Sequence, residues 1–347
     1  MKILKNKFAK IILLALTIVF ITSSSSCNKE DDNQIPLPTI QVVKDVYVSG
    51  YEHNGIVTVA KVWKNGIATS LTNGTQNARA NSITVVGTDI YVAGYENNGT
   101  VLVAKVWKNN IATALTNGEN DAIANAITVN GSNVYVAGYE YSGIKKVAKY
   151  WKNGLVSILT NGIQNASAED ITVVGNDIFV AGFEYNGTRN VAKIWKNGIA
   201  TSLSDVSSNG YAKALTVIGT DIYVVGSDNN SAQLWKNDTG TTLSNGTERD
   251  PDAMGITIVG NYKYVVGEEG LNAKIWKNGV ASRLSTLISE AKSIAVDGTD
   301  IYIAGRERNG PTGSFMIAKV WKNGISQPIP INTEYISGTT DIFVTNN

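Results

Sequence analysis

The chain has 347 residues, with 30 basic and 29 acidic side chains, 43% hydrophobic residues and a single cysteine. So even a charge balance gives no electrostatic footing for nucleic acid. One cysteine excludes an internal disulfide, and stability must come from packing.

In chain order, residues 1–26 stand apart. Lys2, Lys5, Lys7 and Lys10 form a basic start, Ile11 to Ile21 is an apolar run of eleven residues, and four serines lead to Cys27. Eleven apolar residues are too few for a membrane-spanning helix, and the layout is that of a secretory signal peptide. The segment Ser24-Ser25-Ser26-Cys27 resembles a bacterial lipobox, with Ser24 where leucine is common, and its serine-rich form is similar to those of Bacteroidota lipoproteins. The resemblance implies that Cys27 becomes the mature N-terminus and carries lipid, palmitate among its acyl chains. Several chains, at roughly 0.8 kcal/mol per buried CH₂, anchor stably where one does not. Loss of 1–26 removes four lysines and no acid, leaving 26 basic against 29 acidic residues, a net charge of −3. Residues 27–38 then read as a lipidated tether, polar through Asn28-Lys29-Glu30-Asp31-Asp32-Asn33 and stiffened by Pro36 and Pro38. The acidic cluster after Cys27 resembles the export signal that sends some Bacteroidota lipoproteins to the outer cell surface. The expected location is therefore the outer membrane, at the cell surface, with the membrane met only through lipid.

From residue 39 onward one pattern recurs. Trp63, Trp107, Trp151, Trp195, Trp235, Trp276 and Trp321 follow one another at spacings of 44, 44, 44, 40, 41 and 45. A fixed period in this range marks a repeat architecture. Within residues 80–116, Ser82–Val86, Asp89–Gly94, Val103–Trp107 and Ile111–Leu115 read as strands A, B, C and D. Gly87-Thr88 turns A into B, and Asn-Gly or Asn-Asn turns C into D, where a type I′ hairpin needs two positive φ angles. No helical periodicity appears after residue 38. Strands apolar on both faces suit sheets sandwiched between neighbours. The expected fold is all-β, a β-propeller of four-stranded antiparallel blades over 39–347.

The string Ile90-Tyr91-Val92-Ala93-Gly94-Tyr95-Glu96, a loop, then Val103-Ala104-Lys105-Val106-Trp107-Lys108-Asn109 resembles the bacterial β-propeller repeat of the SBBP type. That resemblance implies seven blades and says almost nothing about activity. Closure is open at this level. Strand B occurs eight times, counting Asp45-Val46-Tyr47-Val48 and Asp341-Ile342-Phe343-Val344, whereas the tryptophan strand occurs seven times. The first A strand, Ile40 to Val43, lacks its Gly-Thr turn. Seven blades are favoured, with the last hairpin or part of it closing the ring on the N-terminal strands; eight blades, one incomplete, is the alternative.

One charged pattern repeats. An acid stands two residues after the B-strand glycine (Glu52, Glu96, Glu140, Glu184, Asp228, Glu269, Glu307), and a lysine two before each tryptophan, except Gln233. Their separation is nine residues in the first four units, five in the next two and twelve in the last, and the change from nine to five is even, which keeps both on one face. This predicts a cross-strand ion pair rather than a ligand-binding ring of charge. The small residues Ala80, Ala124, Ala168, Ala212, Ala253 and Ala291 open the inner strands, as packing around an axis requires.

The A–B and C–D turns share one end of the ring and barely vary, whereas the B–C loops and D–A connections share the other and do. Variable loops on a rigid scaffold are where binding is placed. Candidates there are Arg79, Asp121, Tyr141, Lys145, Lys146, Tyr185, Arg189, Arg249, Asp250, Arg306 and Arg308. His53, the single histidine, has no cysteine or second histidine for a metal site, and no catalytic arrangement, phosphate loop or cofactor motif is legible. Asp297-Gly298-Thr299-Asp300 is too short for an EF-hand. The reading that follows is a non-catalytic, monomeric surface module for a glycan, peptide or protein, with a purely structural or adhesive envelope component as the alternative. A polysaccharide-degrading enzyme ranks third, because its carboxylates would have to be unpaired.

Overall fold

The computed structural model describes residues 44–244 and 248–346. The signal peptide, Cys27, the tether and the first A strand at Ile40 to Val43 lie outside them.

All regular structure among the described residues is β, in seven four-stranded antiparallel sheets. The first blade holds β1 (Lys44–His53), β2 (Thr58–Lys64) and β3 (Ile67–Ser70). The second is β4 (Ala78–Val86), β5 (Asp89–Asn97), β6 (Leu102–Lys108) and β7 (Ile111–Ala114). The third is β8 (Ala122–Asn130), β9 (Asn133–Ser142), β10 (Lys145–Lys152) and β11 (Leu155–Ile158). The fourth is β12 (Ala166–Val174), β13 (Asp177–Tyr185), β14 (Asn190–Lys196) and β15 (Ile199–Ser202). The fifth is β16 (Gly210–Ile218), β17 (Asp221–Asp228), β18 (Ser231–Lys236) and β19 (Thr239–Thr242). The sixth is β20 (Asp252–Val259), β21 (Tyr262–Glu269), β22 (Asn272–Lys277) and β23 (Val280–Arg283). The seventh is β24 (Ser289–Asp297), β25 (Asp300–Arg308), β26 (Met316–Lys322) and β27 (Ile325–Gln327), after which β28 (Ser337–Asn346) returns to blade 1.

Blade faces carry the core. Seven apolar clusters sit between neighbouring blades, and each holds one tryptophan from strand C with side chains of the preceding blade. Trp107, for example, packs with Tyr47, Ala60 and Val62 of blade 1, and all seven tryptophans are at most 2% exposed. The outer D strands are exposed almost throughout.

The Trp-Lys-Asn motif fastens strand C to strand B. Asn65 adopts φ 50° and Gly66 φ 80°, the pair of positive values a tight hairpin needs. The Asn65 Oδ1 accepts the Val46 N–H at 2.8 Å and its Nδ2 donates to Asp45 at 2.6 Å. The preceding lysine closes an ion pair to the same acid, as in Lys64–Asp45 and Lys108–Asp89, both 2.7 Å. In blade 7, Lys322 first and then Asn323 hold the Asp300 carboxyl down to about 2.

Each innermost strand carries a β-bulge, between Ala80 and Ser82 in blade 2 and at the equivalent place elsewhere. The bulge presses the strand onto its neighbour. A Cβ on Gly94 would sit 2.0 Å from the Arg79 carbonyl oxygen, which is why this B-strand position is glycine. The skipped residues, Asn81, Asn125, Glu169, Lys213, Met254, Lys292 and Thr340, all line a central channel of about 440 Å³.

Ring closure corrects one reading. Asp341-Ile342-Phe343-Val344 is not an eighth B strand. It belongs to β28, which takes the innermost, A position of blade 1 and pairs antiparallel with β1, Ser49 facing Asp341. Seven blades are closed, as the favoured reading allowed, by part of the last segment, the single strand β28.

Candidate functional site

The repeated acids are paired, as the spacing predicts. Glu140 meets Lys149 at 2.5 Å, Glu184 meets Lys193 at 2.9 Å, Glu269 meets Lys274 at 3.1 Å and Glu307 meets Lys319 at 2.9 Å; Glu52–Lys61 and Glu96–Lys105 form the same bond. In blade 5, where Gln233 replaces the lysine, Asp228 accepts the Ser208 hydroxyl instead. These charges are spent on the scaffold.

The distinctive chemistry lies one residue earlier. The position after the B-strand glycine is Tyr51, Tyr95, Tyr139 and Phe183 in blades 1–4, then Ser227, Glu268 and Arg306. Strand register sets Tyr95 opposite Arg79, Ser227 opposite Tyr211, Glu268 opposite Asp252, Arg306 opposite Glu290 and Tyr51 opposite Gly338. These residues form one rung at the variable-loop end of the inner strands. Its side on blades 1–5 is aromatic and its side on blades 6–7 is charged.

On the aromatic side, Phe183 and Tyr211 pack edge to face at 5.0 Å, and Tyr139 and Tyr141 do so at 5.9 Å. Cations lie on the ring faces: the Arg79 guanidinium 4.1 Å from the Tyr51 centroid, the Lys146 Nζ 4.5 Å from Tyr139 and the Lys213 Nζ 5.1 Å from Tyr211. Gly338 makes room for this, since a Cβ there would meet the Tyr51 hydroxyl at 3.0 Å. Burial, and then neighbouring Tyr141, push the Tyr139 phenol up; burial raises Tyr95 as well, against the pull of Arg79.

On the charged side, Arg306 binds Glu290 at 2.6 Å and the Tyr51 hydroxyl at 3.2 Å, and Lys292 binds Glu290 at 2.7 Å. Burial works to raise Glu290, yet Arg306 and Lys292 hold it below its ordinary value. Burial first, then Glu290, raise Glu268. Burial also raises Asp252 against the attraction of Lys213, and its Oδ1 has no hydrogen-bond partner.

Deeper in the channel sit two further carboxylates that the repeat did not flag, Asp170 and Asp341. Each bridges blades. Asp170 accepts the Leu215 N–H of blade 5 and its neighbour Ile171 N–H, both at 2.8 Å. Asp341 accepts the Ser82 hydroxyl and Ile83 N–H of blade 2 at 2.9 Å, and the Ser293 hydroxyl of blade 7 at 2.5 Å. Burial pushes Asp170 up to about 7 and raises Asp341 too. Each gives at least one oxygen to a neighbouring blade.

Of the sequence-selected candidates, the structure brings Arg79, Arg306, Tyr141 and Lys146 to this mouth. Lys145 pairs across the hairpin with Ser142, and Tyr185 ends β13. Asp121 is exposed but serves the scaffold, its Oδ1 accepting the Leu102 N–H at 2.7 Å. Arg189 is an exposed loop residue, Arg249 and Asp250 lie exposed on the D–A connection into blade 6, and Arg308 ends β25. Sequence reasoning missed the rings Tyr51, Tyr95, Tyr139, Phe183 and Tyr211. The signal for the first four was present: the column beside the repeated acid is aromatic in four successive units and polar in the last three. Among the described residues no group of three or more potential ligands is placed to hold a metal ion.

No protein-family model matches this sequence, and no curated protein matches it. Among solved structures, the chain is similar to the computationally designed Ika8 protein, at 15% identity over 87% of this chain and 91% of that one, with a TM-score of 0.46. A nidogen–laminin complex shares 7% identity over 87% of this chain and 98% of that one, with a TM-score of 0.47. TolB from Acinetobacter baumannii shares 11% identity over 67% of this chain and 60% of that one, with a TM-score of 0.44. Identities and scores this low say nothing about function, and the seven-bladed ring rests on its own strand pairing.

Proposed function

We propose that the propeller is a non-catalytic binding module whose recognition surface is the variable-loop end, and that the chain is held at the cell surface by lipid on Cys27. One observation carries the binding reading. At that end a half-ring of aromatic side chains bears cations that have no ion-pair partner among the described residues, whereas the repeated charges elsewhere are neutralised pairwise. Aromatic rings with polar handles are the usual currency of recognition surfaces. The non-catalytic reading is supported by the channel carboxylates, whose oxygens accept backbone N–H and hydroxyl bonds rather than facing an open pair of positions. Lipid anchoring is supported by the basic start, the eleven-residue apolar run and the serine-cysteine junction.

The test is a glycan array together with a pull-down of envelope proteins, using the full chain. Binding in either, lost in the double variant Tyr141→Ala/Arg189→Ala, is the expected outcome. Blank results in both assays assign the protein instead to a structural role. In the same cells, Cys27→Ser should move the protein out of the membrane fraction; unchanged membrane retention removes the lipid anchor.

A further inference from the structure

We propose that the aromatic arc around Arg79 binds an anionic glycan, a sugar polymer bearing carboxylate or sulfate groups. This rests on the binding-module reading and deepens it to a ligand class.

Arg79 carries the argument. Its guanidinium is stacked on Tyr51, and its Nε is buried without a hydrogen-bond partner. Among the described residues it donates no side-chain hydrogen bond and has no carboxylate within ion-pair distance. The other arginine of the rung, Arg306, shares the unpartnered Nε but differs at its terminal nitrogens, which bind Glu290 and the Tyr51 hydroxyl. A half-buried guanidinium left without acceptors costs stability, because its bonds to water are partly lost and nothing replaces them. Tyr51 holds the planar fork in place, so it is preorganised to take two oxygens of a carboxylate or sulfate. Both acids present the same paired, charged oxygens.

The surroundings favour sugar. Tyr95 faces Arg79 across the strand pair, and the arc continues through Tyr139, Phe183 and Tyr211 on successive blades. Lys146 and Lys213 place further cations along it, neither with an ion-pair partner among the described residues. Flat rings at intervals with cations between them match a chain of pyranoses whose C–H faces stack and whose charged groups recur. Asn190 reaches the same arc, donating to the Tyr211 hydroxyl at 2.6 Å, and supplies an amide for sugar hydroxyls. An acidic peptide would use the same cations, but it would also seek aliphatic pockets. The fourteen positions of this rung include one aliphatic side chain, Ile123.

The experiment is calorimetric titration of the full chain in detergent with four probes: oligogalacturonate, dextran sulfate, laminarin and poly-glutamate. Binding to oligogalacturonate or dextran sulfate is expected, and which of them binds identifies carboxylate or sulfate as the anion. Laminarin, being neutral, should not bind. Arg79→Gln should weaken binding at least about tenfold, as loss of a charge-assisted contact implies. Tyr95→Ala should weaken it too, and Lys152→Gln at the opposite end should not. Should R79Q lower the melting midpoint, the double variant Lys146→Gln/Lys213→Gln replaces it and must weaken binding. The proposal is overturned if neither anionic glycan binds, if laminarin or poly-glutamate binds as tightly, or if R79Q binds like the unaltered chain. Array binding that persists in R79Q sinks this site and leaves the binding-module reading standing; blank array and pull-down results sink that reading itself.

Discussion

A tryptophan that recurs seven times at the same depth does not do the same work each time. Trp63 donates its indole N–H to the Pro330 carbonyl at 3.3 Å, whereas the indole nitrogens of Trp107, Trp195 and Trp276 are buried without a partner. Their value is therefore volume and ring area, and the polar atom is a cost. Trp107→Phe should destabilise the protein by about 1 kcal/mol less than Trp63→Phe, since the first discards an orphaned donor and the second breaks a bond. Denaturant unfolding of both variants measures this, and equal midpoints would contradict it. Truncating either to alanine should cost about 3–5 kcal/mol through the cavity left between blades. The positions of these tryptophans were legible in the sequence, because a fixed spacing marks a repeat. Which indoles have a partner was not, because the acceptor for Trp63 lies 267 residues away on the connection between β27 and β28.

The innermost strand is where local pattern failed as a guide. Asp341-Ile342-Phe343-Val344 has the composition of a B strand, yet β28 occupies an A position because only β1 offers a free edge there. Strand identity in a ring is a non-local property, and the composition of a four-residue string does not encode it. Asp170 was illegible for the same reason: whether a residue beside the bulge faces the channel depends on the bulge. Its chemistry has a measurable sign. With Asp170 near 7 in the fold against an ordinary 3.8, the folded chain holds a proton that the unfolded chain has released. That contribution is complete below pH 3.8 and lost as the pH climbs through about 7. Asp341, also raised by burial, acts in the same direction. The melting midpoint should fall by about 5 °C between pH 5 and pH 8. Asp170→Asn should flatten that fall, and an unchanged slope in the variant would remove Asp170 as its source.

For the molecule as a whole, the seam blade differs from the six blades built within consecutive sequence. Blade 1 takes three strands from one end of the propeller and its innermost strand from the other, and the Asp341 carboxylate ties that strand to blades 7 and 2 at once. Removing residues 337–347 should therefore do more than trim an end. It exposes the whole inner edge of β1 and unpins two neighbours, so the cooperative melt should be lost and the protein should elute as aggregates in gel filtration. Adding the missing segment as a separate peptide should restore the melt, and a truncated protein that melts like the intact one would show the seam to be dispensable. The same seam sets a clock on biosynthesis. While blades 2 to 7 are still emerging, N-terminus first, blade 1 waits as a three-stranded sheet with an unpaired edge. However early each hairpin zips, the circle stays open until β28 has emerged, so every copy passes through a window in which chaperones, or other unfinished copies, can reach that edge first.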